Sequence, residues 1–178
     1  MKTEKLKSLL SFAVVVICCA VAVYSQNVQA QTIGKPVAEI RGKTLDGQAF
    51  TLSENYRGAP TMIVFWSTTC PICHANIPKM NQMKMHFDSS VKGKVNFLAL
   101  TIDKEPKVRN YLKRNTFNFT IVPDAATALT EYAPKKNGSI AMGYPAIFIV
   151  DKNGVLVYSK EGGGQTEEIE ALLSDLLK

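Results

Sequence analysis

The chain has 178 residues, 46% of them hydrophobic and 20% charged, with a formal net charge of +6. That length gives room for one domain with its own core, and the composition is too apolar for a disordered chain. The basic residues between 92 and 114 alternate with apolar positions as on a solvated face, and no aromatic-rich or finger motif accompanies them, so no nucleic-acid partner is expected.

Residues 1–30 carry Lys2, Lys5 and Lys7 against Glu4, then an apolar stretch from Leu9 to Val23, then a polar linker ending Val28-Gln29-Ala30. A basic start, a short apolar centre and small residues at −3 and −1 predict an export signal cleaved after Ala30. The apolar stretch is shorter than the roughly 20 residues of a spanning helix. The alternative, an uncleaved N-terminal anchor, would be the chain's one attachment to a membrane. Cys18 and Cys19 do not form a lipobox, because Val16-Ile17 lacks the small residues it needs. Residues 31–178 are then one exported domain.

In that domain Val37 to Arg41 and Ala49 to Leu52 read as short strands around an Asp46-Gly47 turn. "TMIVFW", 61–66, is a continuous apolar run that suits a central strand buried on both faces. From Pro71 to about Asp88 the spacing of Ile72, Ile77, Met80, Met83 and Phe87 predicts a helix, with Pro78 interrupting it. A second strand is predicted over 94–103, and a helix over 105–115 with Val108, Tyr111 and Leu112 inward. A short strand follows in 119–124 and a short helix in 125–132; residues 135–143 read as a loop. "PAIFIVDKNGVLVYS" is a strand, an Asn-Gly turn and a second strand. Residues 165–177 form a last helix, with Thr166 as N-cap and Ile169, Leu172, Leu173 and Leu176 on one face. This order predicts an α/β fold: a central mixed sheet with helices on both faces.

The domain has two cysteines, Cys70 and Cys73, in "FWSTTCPICHANIPKM". A structural metal site needs about four ligands, and only His74 and His86 remain to complete one, so no metal is expected. A bridge closing so small a loop contributes little chain-entropy stabilisation. A redox couple is left. Cys70 falls at the strand-to-helix junction with Pro71 at the first helical position, and Cys73 lies one turn further in, within reach of it. The helix N-terminus favours a thiolate at Cys70, where a thiol pKa of about 8.5 can fall to roughly 3.5–7.5. Cys70 is thus the predicted exposed attacking sulfur and Cys73 the shielded resolving one. The electrons sit on the two sulfurs, and no cofactor is expected.

"VFWSTTCPICHANIP", "GYPAIFIVDKNG" and the terminal helix resemble the thioredoxin fold. The N-terminal hairpin, the CPxC form and the inserted strand-helix segment around 104–131 resemble its exported TlpA/ResA-like branch. The resemblance spans residues 34–178. It implies thiol–disulfide exchange with exported proteins in the periplasm or cell envelope, cytochrome c maturation substrates among them, with electrons from an upstream membrane donor. It also implies that Pro145 is a cis-proline beside the active site, that the Tyr144 backbone pairs with substrate, and that Trp66 packs beneath the motif. Pro78 matches the family's helix-kinking proline. Three positions depart from the pattern. Asn76 stands where many members have Glu, Thr69 where many have Trp, and Val64 where thioredoxins have a buried Asp, so no proton acceptor for Cys73 is identified. His74 is expected to be an exposed surface residue. Reductase and oxidase directions stay open, and two other activities compete. Ser67, three residues before Cys70, fits a peroxiredoxin-like peroxidase, but Ile63 stands where that branch has Pro. A copper carrier would have CxxxC and a distant His, whereas here the spacing is CxxC and no His follows residue 86.

Overall fold

The computed structural model describes residues 31–90, 94–137 and 139–178. The predicted export segment, 1–30, lies outside them. Among the described residues no helix is long and apolar enough to cross a membrane.

The elements in chain order are β1 (Arg41–Lys43), β2 (Ala49–Thr51), α1 (Leu52–Asn55), β3 (Thr61–Phe65), α2 (Pro71–Asp88), β4 (Asn96–Leu100) and α3 (Glu105–Leu112). They continue with β5 (Thr120–Val122), α4 (Ala126–Tyr132), β6 (Lys135–Lys136), β7 (Ser139–Ile140), β8 (Ala146–Val150), β9 (Leu156–Glu161) and α5 (Thr166–Asp175). A five-stranded sheet runs β5-β4-β3-β8-β9. β3 pairs parallel with β4 and antiparallel with β8, so the sheet is mixed.

Every residue of β3, β4 and β8 is buried, because both faces of the sheet are covered. Alternate side chains of β3 serve opposite cores. Met62, Val64 and Trp66 face a layer holding Ile77, Met80 and Phe87 of α2, Val108 of α3 and Ile169 and Leu173 of α5. Ile63 and Phe65 face Ile40, Phe50, Leu52 and the α4 residues Ala128 and Tyr132. The fold is the expected thioredoxin-like arrangement with an added N-terminal hairpin.

Several local expectations shift. The first strand is Arg41–Lys43, not 37–41. The preceding residues bond elsewhere: Val37 N–H donates to Gly154 O (3.0 Å), and the Tyr132 hydroxyl donates to Ala38 O (2.9 Å). Leu52 opens α1 rather than closing β2. Residues 135–143 hold the short ribbon β6–β7, with Asn137 at φ 51 where the chain turns; Asn137-Gly138 is the signal that announces it. Thr166 is the first residue of α5 rather than its cap. Gln165 occupies the cap position and turns its amide back onto Gly163 O (2.7 Å).

The register fixes the functional end of the sheet. Phe65 is opposite both Leu100 and Ala146, so the chain leaving β3, the chain leaving β4 and the chain entering β8 meet at one edge.

Candidate active site

At that edge Trp66 N–H donates to Leu100 O (3.0 Å), the last tie before the chain turns. Cys70 N–H then bonds Ser67 O (3.2 Å), and Cys70 takes an extended conformation (φ −92, ψ 105) as the cap of α2. Pro71 follows at the first helical position, where a missing N–H costs no hydrogen bond. Cys73 N–H donates to Cys70 Sγ (3.1 Å), so one of the unpaired helix-start donors is aimed at that sulfur. Such a donor, with the helix dipole, favours negative charge there once the bond opens.

Cys70 and Cys73 form a disulfide with Cα atoms 5.2 Å apart. The two sulfurs are not equivalent. Cys73 is 1% exposed and packs with Trp66 and Ile77, whereas Cys70 is half-buried at the rim, less open than the sequence suggests. Ile72, named above for its helical spacing, is 53% exposed, and the buried face of α2 is carried by Cys73, Ile77, Met80, Met83 and Phe87. Pro78 lies exposed inside α2, which runs from Pro71 to Asp88.

The structure brings Tyr144 and Pro145 to the same end. The Tyr144–Pro145 peptide is cis, Pro145 is buried, and Tyr144 is half-buried against the same layer as Cys70. Burial, and then the Asp103 carboxylate, raise the Tyr144 phenol above its ordinary pKa. Trp66 is fully buried beneath, its ring 5.2 Å from Phe117 and 5.4 Å from Tyr111.

Asp103 is the functional-end residue that sequence reasoning missed. Its Oδ2 accepts from Thr68 N–H (2.7 Å), the Thr68 hydroxyl (2.8 Å) and the Ser67 hydroxyl (3.0 Å); its Oδ1 accepts from Lys107 Nζ (2.7 Å). One carboxylate thus holds the loop that delivers Cys70. Burial alone would raise its pKa, but the hydrogen bonds from Lys107, Thr68 and Ser67 outweigh it and bring the value down to about 2. The available signal was positional: an acid just past a strand parallel to the one that carries the motif. Ser67, a candidate above for a peroxidase, donates its hydroxyl to Asp103, and its Oγ lies 3.1 Å from the Thr69 hydroxyl.

His74 is half-buried, not exposed. Its ring stacks on Tyr111 at 4.9 Å, and its Nε2 lies 3.1 Å from Thr68 O. A carbonyl can only accept, so that nitrogen carries the proton. Val64, in the place of a thioredoxin Asp, is buried at 1% exposure. A cleft lined by Val37, Leu52, Tyr56, Val150 and Asn153 lies at the opposite end of the sheet, away from the cysteines.

Comparison with known proteins gives a consistent picture. The sequence model of the family described as Redoxin matches residues 32–176. A thiol-disulfide oxidoreductase ResA of Bacillus cereus is 27% identical over 146 residues, covering 81% of this chain and 78% of its own. The thiol:disulfide interchange protein DsbE of Escherichia coli (strain K12) is 26% identical over 141 residues, covering 76% and 69%. Among solved structures, a thioredoxin-family thiol:disulfide interchange protein of Chlorobium tepidum TLS superposes with a TM-score of 0.68 at 23% identity, covering 84% of this chain and all of that one. At that identity the likeness speaks for the fold.

Proposed function

Because the chain belongs to the Redoxin family and is a thiol–disulfide oxidoreductase, we propose that it is exported and works as a disulfide reductase in the periplasm or cell envelope. The observation that carries this reading is the asymmetry of the pair: Cys70 at the rim under a helix-start N–H, Cys73 buried behind it.

The structure holds the oxidised form. In the reduced form, Cys70 thiolate attacks one sulfur of a substrate disulfide. The substrate S–S bond breaks, a Cys70–substrate bond forms, and the released sulfur takes up a proton. Cys73, on losing its proton, attacks Cys70 Sγ. The Cys70–Cys73 bond forms and the second substrate sulfur leaves as a thiol. Two electrons pass to the substrate, and a dithiol donor at the membrane returns them. Tyr144 and Pro145 lie where an extended substrate backbone would dock, while Trp66, Pro71 and Pro78 support the helix that presents the pair. Exported proteins with accessible disulfides, such as cytochrome c maturation substrates, are the partners this reading implies. The leader over 1–30, cleaved or kept as an anchor, places the domain outside the cytoplasm.

Cys73→Ser should accumulate mixed disulfides with natural partners that dissolve in dithiothreitol, and Cys70→Ser should accumulate none. The direction of transfer is read by equilibrating the pair with glutathione. A potential well below the compartment's poise means reductase, and one near the oxidising end of the fold's range of about −270 to −120 mV would overturn that direction.

A further inference from the structure

The segment joining β9 to α5 contains three consecutive glycines, Gly162, Gly163 and Gly164. Each is required for its own reason. Gly162 and Gly164 have φ of 87 and 95, in the region that side chains rarely adopt. Gly163 has no such angle, but a Cβ there would fall into the Asn76 amide, with Cγ and Oδ1 both at 2.9 Å. The middle glycine therefore makes room for Asn76.

Asn76 uses both ends of that amide. Its Nδ2 donates to Ile72 O (2.8 Å), inside the Cys70–Cys73 turn, and its Oδ1 accepts Gly164 N–H (3.2 Å). At the other end of the segment Gly162 N–H donates to Pro145 O (2.8 Å), extending the β8–β9 ladder by one rung. Gln165 closes the set by donating to Gly163 O (2.7 Å). One short piece of chain is thus bonded to the disulfide turn on one side and to the cis-proline on the other.

We propose that Asn76 and Gly162–Gly164 form a strap that fixes the Tyr144–Pro145 turn relative to the disulfide turn, making Asn76 a positioning residue for substrate docking. The docking role rests on the exchange reading above. A docking edge held in place before the substrate arrives costs less ordering on binding, so the strap acts on affinity more than on bond exchange.

The test compares wild type, Asn76→Ala, Gly163→Ala and the double variant by amide hydrogen exchange of the oxidised protein and by steady-state reduction of a disulfide-bonded peptide. Asn76→Ala should speed exchange at Gly164 about tenfold and at Gly162 severalfold, and raise KM about fivefold with kcat within twofold, the scale of one lost hydrogen bond. Gly163→Ala should act like Asn76→Ala, yet add less than twofold in the double variant, where no amide remains to be displaced. Unchanged exchange at Gly162 in Asn76→Ala, an unchanged KM, or full multiplication of the two effects would overturn the strap. Should Gly163→Ala alone fail to fold, Asn76→Ala against the double variant makes the same comparison. If wild type reduces no disulfide, the exchange reading falls, while hydrogen exchange still decides whether the strap exists.

Discussion

Cys70 and Cys73 have the same chemistry and unlike surroundings, and a single helix boundary makes the difference. The cap position leaves one sulfur at the rim facing an N–H, and three residues on the other is inside the core. The loop that sets this boundary hangs on Asp103, whose side chain is 11% exposed. Its folded pKa of about 2 lies below the ordinary 3.8, so its contribution to stability is complete above about pH 4 and is lost as pH falls toward 2. That window is worth about 2 kcal/mol. Asp103→Asn should lower stability at pH 7 by about 1–3 kcal/mol, and denaturant melts between pH 4 and 2 should show a shallower acid slope than wild type, Asp124, which Lys104 also holds below its ordinary value, keeping its share. A variant as stable as wild type at pH 7 would mean that the loop is held by other contacts.

The sheet positions α2 through packing on α5, and the two helices share one hydrophobic layer. Leu173 is fully buried there and Leu172 is half-buried. Leu173→Ala should cost about 2–5 kcal/mol and Leu172→Ala well under half as much, checked by urea melts. These elements were legible because their apolar spacing is strong: the run 61–66 alternates between two cores, and 71–88 keeps its inner face despite Pro78. Less legible were features set by partners distant in sequence. Residues 37–40 look like a strand, but their backbone groups bond to the β8–β9 turn and to Tyr132. Thr166 looks like a cap, but Gln165 takes the position once its amide has a carbonyl to reach. Asp103 and Asn76 carry no motif of their own; each acquires its contacts only when segments far apart in sequence meet at the sheet edge.

For the molecule as a whole, redox state and stability are linked. A low potential means that the native fold favours the disulfide over the dithiol, so by linkage the disulfide favours the native fold. A reductase should therefore melt at a higher temperature oxidised than reduced, by several degrees for each 1–2 kcal/mol of that preference. Scanning calorimetry with and without dithiothreitol checks the order, and the reverse order would mark an oxidant. The bond also sits at the extreme tip of α2, between its cap and third residue, while Ile77, Met80, Met83 and Phe87 anchor the remaining turns. Cys73, 1% exposed, has no route to solvent of its own. On this reading, whatever supplies electrons and whatever consumes them must come to the same sulfur, one after the other. The protein would then be a shuttle rather than a wire, its donor and acceptor rivals for a single berth.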